Sequence, residues 1–283
     1  MGTSDSTVPA VLSIDLEYFS HTPAYRTAAG TTNESAVGRE AIPTILNALA
    51  ETDSTATFFT VSEMLEETPE VVETIADTGH EIGSHTHTHK HLSELSAAQR
   101  REELATSRRR LESVTDQSVV GFRAPSFDIT EDHFELLEAT GYEYDSSVVP
   151  CRSIPGWYGG EYDETRPVSA AEIDPTAPTA LTELPVAVMP GVGLPLTGTW
   201  IRFFGVRYTI LGMRLLARRG IPPVLYIHPW ELVDLPRVEG VPARVYVRTG
   251  AYMRRALRRI LAEPYEFVAA NTVVEDRVLY GRG

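Results

Sequence analysis

The sequence predicts an α/β protein built from parallel βα units. Three observations carry that class. Short apolar runs alternate with amphipathic helical periods over most of the 283 residues. Polar residues gather directly after four of the apolar runs, at the strand ends where parallel α/β folds build their sites. The composition, 42% apolar and 23% charged, is that of an ordinary globular chain and excludes disorder and collagen-like repeats. A closed barrel and an open doubly wound sheet both fit this order.

In chain order, residues 8–14 form a short apolar strand with Pro9 near its start. Residues 39–51 form a helix whose stripe is Ile42, Ile45, Leu46 and Leu49. A strand follows at 56–61, then a helix at 69–78 with Pro69 in its first turn and Gly79 as its stop. A strand at 80–83 runs into a histidine-rich stretch. Residues 96–114 form a long helix begun by Ser96, followed by a strand at 119–123. The helix at 130–140 starts on Thr130, carries acids in its first turn and ends at Gly141, before a strand at 142–144. The rhythm breaks over 150–178, recovers as a strand at 181–188, and breaks again over 190–198. A helix (206–219), a strand (223–227), a helix (248–261) and a last strand (267–269) complete the chain. No internal repeat or interdomain linker is visible, so residues 1–283 are expected to form a single domain. The irregular region 150–200 is too long for an ordinary connection and is expected to shape a binding site, with 236–283 as a C-terminal extension.

The charge excludes several partners. A net charge of −14 argues against nucleic acid or anionic lipid. The basic run at 108–110 falls on a predicted helix and reads as a solvated face. Lys90 is the only lysine among 25 basic residues. Abundant carboxylates with almost no lysine suit a salt-loving cytoplasm, although an arginine-favouring, GC-rich genome produces the same bias. No apolar run reaches the ~20 residues of a membrane span, and the N-terminus lacks the pattern of a secretory signal, so a cytoplasmic location is expected. The single cysteine, Cys151, excludes a disulfide framework and any CxxC site.

The candidate chemistry lies at the four strand ends. Four of the eight histidines fall between 85 and 91. His85 and His89 are four apart and share a face in a helical turn; His87 joins them only in an extended segment. Two imidazoles with one carboxylate make the three-ligand pattern of a catalytic metal site, against the plainer reading of a polar loop. Asp15 and Glu17 share a face of an extended strand, so one can ligate a metal while the other takes a proton. Arg123 can hold a carboxylate, or form a surface ion pair. His228, at a strand mouth before Pro229, can donate a proton to a leaving group, or be a capped core histidine. Trp157, Tyr158 and Trp200, in the irregular region, can stack on sugar faces or fill core.

Together these residues resemble the polysaccharide deacetylase (NodB homology) family, carbohydrate esterase family four, over about residues 8 to 235. SHTHTHKHL is similar to its H-[ST]-x-x-H metal motif, SIDLE to its first motif, GFRAPSF to its R-x-P motif and LYIHPWE to its L-x-H motif. Within the family, the chain most resembles a subgroup with D-V-E and H-P-W-E motifs, linked to exopolysaccharide or surface-glycan gene sets. The resemblance implies a distorted, TIM-like (β/α) barrel of about seven parallel strands and one divalent cation, zinc, on Glu17, His85 and His89. It implies Asp15 as the base, steadied by Arg123, His228 as the general acid and Leu225 as the lining of the acyl pocket. The commonest family form has adjacent aspartates, whereas Leu16 separates Asp15 from Glu17, so an exchange of their roles stays open. A faint echo of a further motif at Tyr144-Asp145-Ser146-Ser147 places Asp145 near His228 or in substrate binding. The implied activity is hydrolysis of N-acetyl groups on amino sugars of a glycan or glycan precursor. The alternatives are a cyclic amide or ureide hydrolase on the same fold, and a degenerate sugar-binding protein.

Overall fold

The barrel grows outward from β1 (Ala10–Leu16), whose seven residues are all buried. Ala10, Leu12, Ile14 and Leu16 pack into the main core beneath the outer helices. Val11 turns the other way, into a second core cluster inside the curled sheet with Phe59, Tyr144, Leu184 and Val224. Burying each of Leu12, Ile14 and Leu16 contributes about 1.5–3 kcal/mol, and a one-residue slip would forfeit it. The same period of two therefore turns Asp15 inward.

The computed structural model describes residues 8–29, 36–154 and 159–280. After β1 the strands are β2 (Thr57–Thr60), β3 (Glu81–Ser84), β4 (Gly121–Phe122), β5 (Tyr144–Asp145), β6 (Val168–Ser169), β7 (Thr182–Glu183), β8 (Val224–Ile227) and β9 (Phe267–Val268). They form one sheet in the order β6-β7-β5-β4-β3-β2-β1-β8, with β9 also pairing β1. Every pairing is parallel except β6 with β7. The seven strands from β7 to β8 curl into a distorted (β/α) barrel. Beyond β7 the chain meets β8 through the Ala187 N–H donating to the Val224 carbonyl at 2.8 Å. The expected barrel of about seven parallel strands is therefore observed, and the open doubly wound alternative is not.

The helices are α1 (Pro23–Ala29), α2 (Ile42–Ala50), α3 (Pro69–Asp77), α4 (Ala97–Thr115), α5 (His133–Ala139), α6 (Ala170–Ile173), α7 (Gly198–Phe204), α8 (Val206–Ala217), α9 (Ala251–Leu261), α10 (Ala270–Glu275) and α11 (Arg277–Tyr280). Ser96 caps α4 in a capping box with Gln99. None of the helices among the described residues is long and apolar enough to cross a membrane.

Predicted and observed elements differ where side-chain periodicity is weak. The first strand runs two residues further than expected, through Asp15 to Leu16. The strand expected at 181–188 narrows to Thr182–Glu183, and the rest bends across to β8. The irregular stretch conceals β6, α6 and α7, and α1 was not anticipated. These pieces are two to seven residues long, shorter than a helical or strand period needs to declare itself.

Aromatic side chains fill the barrel. A Cβ on Gly121 would come within 2.2 Å of the Tyr144 ring, so the glycine makes room for that ring. Arg123, fully buried, lies over the Phe59 ring with its guanidinium carbon 4.2 Å from the centroid. This places a cation at the floor of the C-terminal mouth.

Candidate active site

The mouth holds a cavity of about 510 Å³ lined by Asp15, Glu17, His85, His89, Tyr226 and His228, among others. Asp15 and Glu17 both enter from the end of β1, as the period of two requires.

His85 and His89 meet by a route other than the expected helical turn. The stretch after β3 is irregular, and Thr86 and His89 adopt left-handed backbone at φ 67° and 54°. Several contacts offset that strain. Glu103 on α4 accepts from the His87 and Thr88 backbone N–H groups and the Thr88 hydroxyl. Arg26 on α1 donates to the Thr88 and His89 carbonyls. Neither Glu103 nor Arg26 was legible as a site residue, since each acts on backbone rather than on the chemistry. His87 and His91 point elsewhere: His87 hydrogen-bonds Ser62 Oγ at 3.0 Å and His91 hydrogen-bonds Ser126 Oγ at 3.1 Å, the latter on the cavity rim.

Each of the two buried imidazoles is oriented by a carbonyl. His85 Nδ1 donates to the Arg123 carbonyl at 2.7 Å and His89 Nδ1 donates to the His21 carbonyl at 3.1 Å. In a neutral ring this leaves Nε2 with a lone pair facing the cavity. Burial, only partly offset by Asp15, pushes His85 down to about 4, so its ring is neutral at neutral pH. One oxygen of Glu17 accepts from Trp230 Nε1 at 3.0 Å. The other, Oε2, is buried and accepts no hydrogen bond of proper geometry, although His89 Nε2 lies 2.6 Å away. Burial works against the Glu17 charge, but His89, His228 and His85 outweigh it and hold the carboxyl well below the usual range. Ligating atoms of Glu17, His85 and His89 lie within 4.8 Å of one another. An anionic oxygen lacking a donor, facing two imidazole lone pairs, fits a divalent cation.

Arg123 is no surface ion pair. Its Nη1 donates to Asp15 Oδ1 at 2.6 Å and to Ser13 Oγ, and its Nε and Nη2 donate to the Ser146 carbonyl and hydroxyl. His228 is not a capped core histidine. Its side chain is 15% exposed, on the cavity, with Nε2 4.0 Å from Asp15 Oδ2 and 3.6 Å from Glu17 Oε1. Its ring stacks on Trp230 at 4.9 Å. Nδ1 faces Glu231 Oε2 at 3.3 Å. Burial opposes the imidazolium, but the Glu231 hydrogen bond and the charges of Glu231, Glu17 and Asp15 prevail and push His228 up to about 9.

The proposed substrate contacts fare differently. Leu225 does not line the cavity. On β8 the alternation turns Leu225 and Ile227 outward into the main core, while Tyr226 faces the cavity in its place. Asp145 does not reach His228 or the cavity either. It is fully buried, accepting from His133 Nε2 at 2.8 Å and from the Ser147 hydroxyl at 2.6 Å. Trp200 stacks on Phe204 at 5.5 Å, and its α7 neighbours Thr199, Arg202 and Phe203 face the cavity instead. Trp157 and Tyr158 lie outside the described residues.

Known proteins resemble the chain in two blocks. Residues 23–144 match the family model for polysaccharide deacetylase, and residues 146–275 match a domain of unknown function, DUF3473. Asp15 and Glu17 precede both matches; His85, His89 and Arg123 lie in the first, and His228 lies in the second. A peptidoglycan deacetylase of Helicobacter pylori is 29% identical over 112 residues, 40% of this chain and 38% of the relative. The chain thus spans less than two-fifths of that relative's length. Among solved structures, a protein from Mycobacterium smegmatis named as a polysaccharide deacetylase shares the fold with a TM-score of 0.68 at 20% identity, covering 99% of this chain and 94% of that one. The allantoinase PuuE shares it with a TM-score of 0.66 at 16% identity, covering 97% and 91%. At such identities these two show the fold alone. Residues 23–144 are thus similar to the polysaccharide deacetylase family, and the strands of the segment matched by DUF3473 complete the same barrel.

Proposed function

We propose that the protein removes N-acetyl groups from amino sugars of a glycan or glycan precursor, using one divalent cation, zinc, held by Glu17, His85 and His89. The observation that carries this reading is the meeting, in one cavity, of that ligand set with an arginine-held Asp15 and a cavity-facing His228. When bound, the cation supplies Lewis-acid polarisation of water and of the acyl carbonyl. Asp15 is the base. Its Oδ1 is committed to Arg123, which leaves Oδ2 to accept a proton from the attacking water. As the C–N bond breaks, His228 Nε2 protonates the departing amine, so acetate and a free amine leave. Tyr226 and Trp230 wall the cavity and limit competing water.

The deacetylase name of the Helicobacter pylori relative supports an amino-sugar substrate. A cavity of about 510 Å³, within the ~300–1,000 Å³ usual for ligand pockets, has room for a sugar. The intact set of Asp15, Glu17, His85, His89, Arg123 and His228 speaks against a degenerate binder. The resemblance of the H-P-W-E segment at 228–231 to the surface-glycan subgroup supports an exopolysaccharide or other surface glycan as the polymer, and the lysine-poor, acidic composition favours operation in concentrated salt. The test is His85→Ala. It is expected to lose both bound zinc and acetate release; full retention of both would contradict the assignment.

A further inference from the structure

We propose that Glu231, clamped by Arg202, is the positioning residue of His228, and that this clamp is part of what the DUF3473 segment adds to the reaction beyond His228 itself. The proposal rests on the deacetylase reading above. Two carboxylates, Asp15 and Glu17, face His228 Nε2 on the cavity side. Glu231 faces the opposite ring nitrogen: its Oε2 accepts from the His228 backbone N–H at 3.0 Å and from Nδ1 at 3.3 Å. A carboxylate on Nδ1 holds that N–H and fixes the ring plane, and so aims the Nε2 proton into the cavity. Asp145, the residue that the family resemblance offered for this place, lies elsewhere, in contact with His133.

Glu231 is itself immobilised. It is fully buried, and its Oε1 accepts from Arg202 Nε at 2.7 Å. Arg202 is anchored in turn to the Val245 carbonyl at 2.7 Å and the Val247 carbonyl at 3.3 Å. The pair is 3% and 0% exposed at its side chains, a depth at which an ion pair is retained only with good geometry and further hydrogen bonds. Gly198, at the start of α7, leaves the space: a Cβ there would stand 1.8 Å from Glu231 Oε2. Gly198, Arg202, His228 and Glu231 all belong to the segment matched by the domain of unknown function.

The leaving group separates positioning from mere structure. An amine must be protonated to depart, whereas the 4-nitrophenolate of an aryl ester leaves without help. Turnover of N-acetylglucosamine oligomers and of 4-nitrophenyl acetate is measured on zinc-loaded wild type, Glu231→Gln, Gly198→Ala and His228→Ala. Gly198→Ala displaces the carboxylate without changing any titratable group, and so serves if Glu231→Gln fails to fold. The expected result is a fall of about 10- to 100-fold in the ratio of amide to ester turnover in Glu231→Gln and Gly198→Ala, in kcat rather than KM, in the direction set by His228→Ala. Equal losses in both reactions, or no loss, would overturn the proposal. A wild type without chelator-sensitive turnover of either compound would overturn the deacetylase reading, and the proposal with it.

Discussion

His89 Nε2 lies 2.6 Å from Glu17 Oε2, while the same ring's Nδ1 donates to the His21 carbonyl. With His85 Nε2 alongside, this arrangement separates the roles of the two β1 carboxylates: Glu17 sits among the imidazoles, whereas Asp15 sits on Arg123. Glu17→Gln is therefore expected to lose zinc. Asp15→Asn is expected to keep zinc and lose about 10²–10⁴ in kcat. Metal analysis and steady-state kinetics on both variants check this; zinc loss in Asp15→Asn with retention in Glu17→Gln would exchange the roles.

Arg123→Met tests the buried pair. The side chains of Arg123 and Asp15 are 0% and 4% exposed, so removing the cation strands a carboxylate in the barrel. A loss of about 3–5 kcal/mol of unfolding free energy is expected, read by urea denaturation. A loss below about 1 kcal/mol would show that Asp15 relaxes to another partner.

His228 couples stability to pH. Its folded value, about 9, lies above the unfolded value of 6.5. Its contribution is then full below pH 6.5 and is lost as pH rises through about 9. In metal-free protein, the stability advantage of wild type over His228→Gln should narrow across that window. A difference independent of pH would contradict the charge assignment.

The net charge of −14 on a surface with one lysine predicts a salt requirement. Screening of carboxylate repulsion should raise the thermal midpoint from low to molar potassium chloride. An unchanged midpoint would assign the arginine bias to genome composition alone.

Asp15, Glu17, His85, Arg123 and His228 were legible because each stands at or directly after the end of an apolar strand, where a polar side chain has few structural reasons to stand; His89 was legible from its spacing to His85 in the histidine-rich stretch that follows β3. The period of two predicted the shared inward face of Asp15 and Glu17. That same period, applied to β8, would have turned Leu225 away from the cavity and Tyr226 toward it; the motif resemblance pointed the other way, and the alternation decided. Asp145 misled for a related reason, since a polar residue at a strand end can equally serve a buried partner, here His133. Glu103, Arg26 and Arg202 carried little signal because their roles depend on contacts with distant backbone and side chains, which no local spacing records; Glu231 stood in the H-P-W-E motif, three residues after His228, but its motif carried no role for it. The short pieces β6, α6 and α7 were hidden in a Pro- and Gly-rich stretch whose order comes from packing against the barrel.

The most direct test of the account is acetate release from a panel of N-acetylated sugars, nucleotide sugars and oligomers, in molar salt, with added zinc and with chelator. Acetate release that chelator abolishes and zinc restores is the predicted result. No acetate from any member of the panel, with zinc bound stoichiometrically, would contradict it.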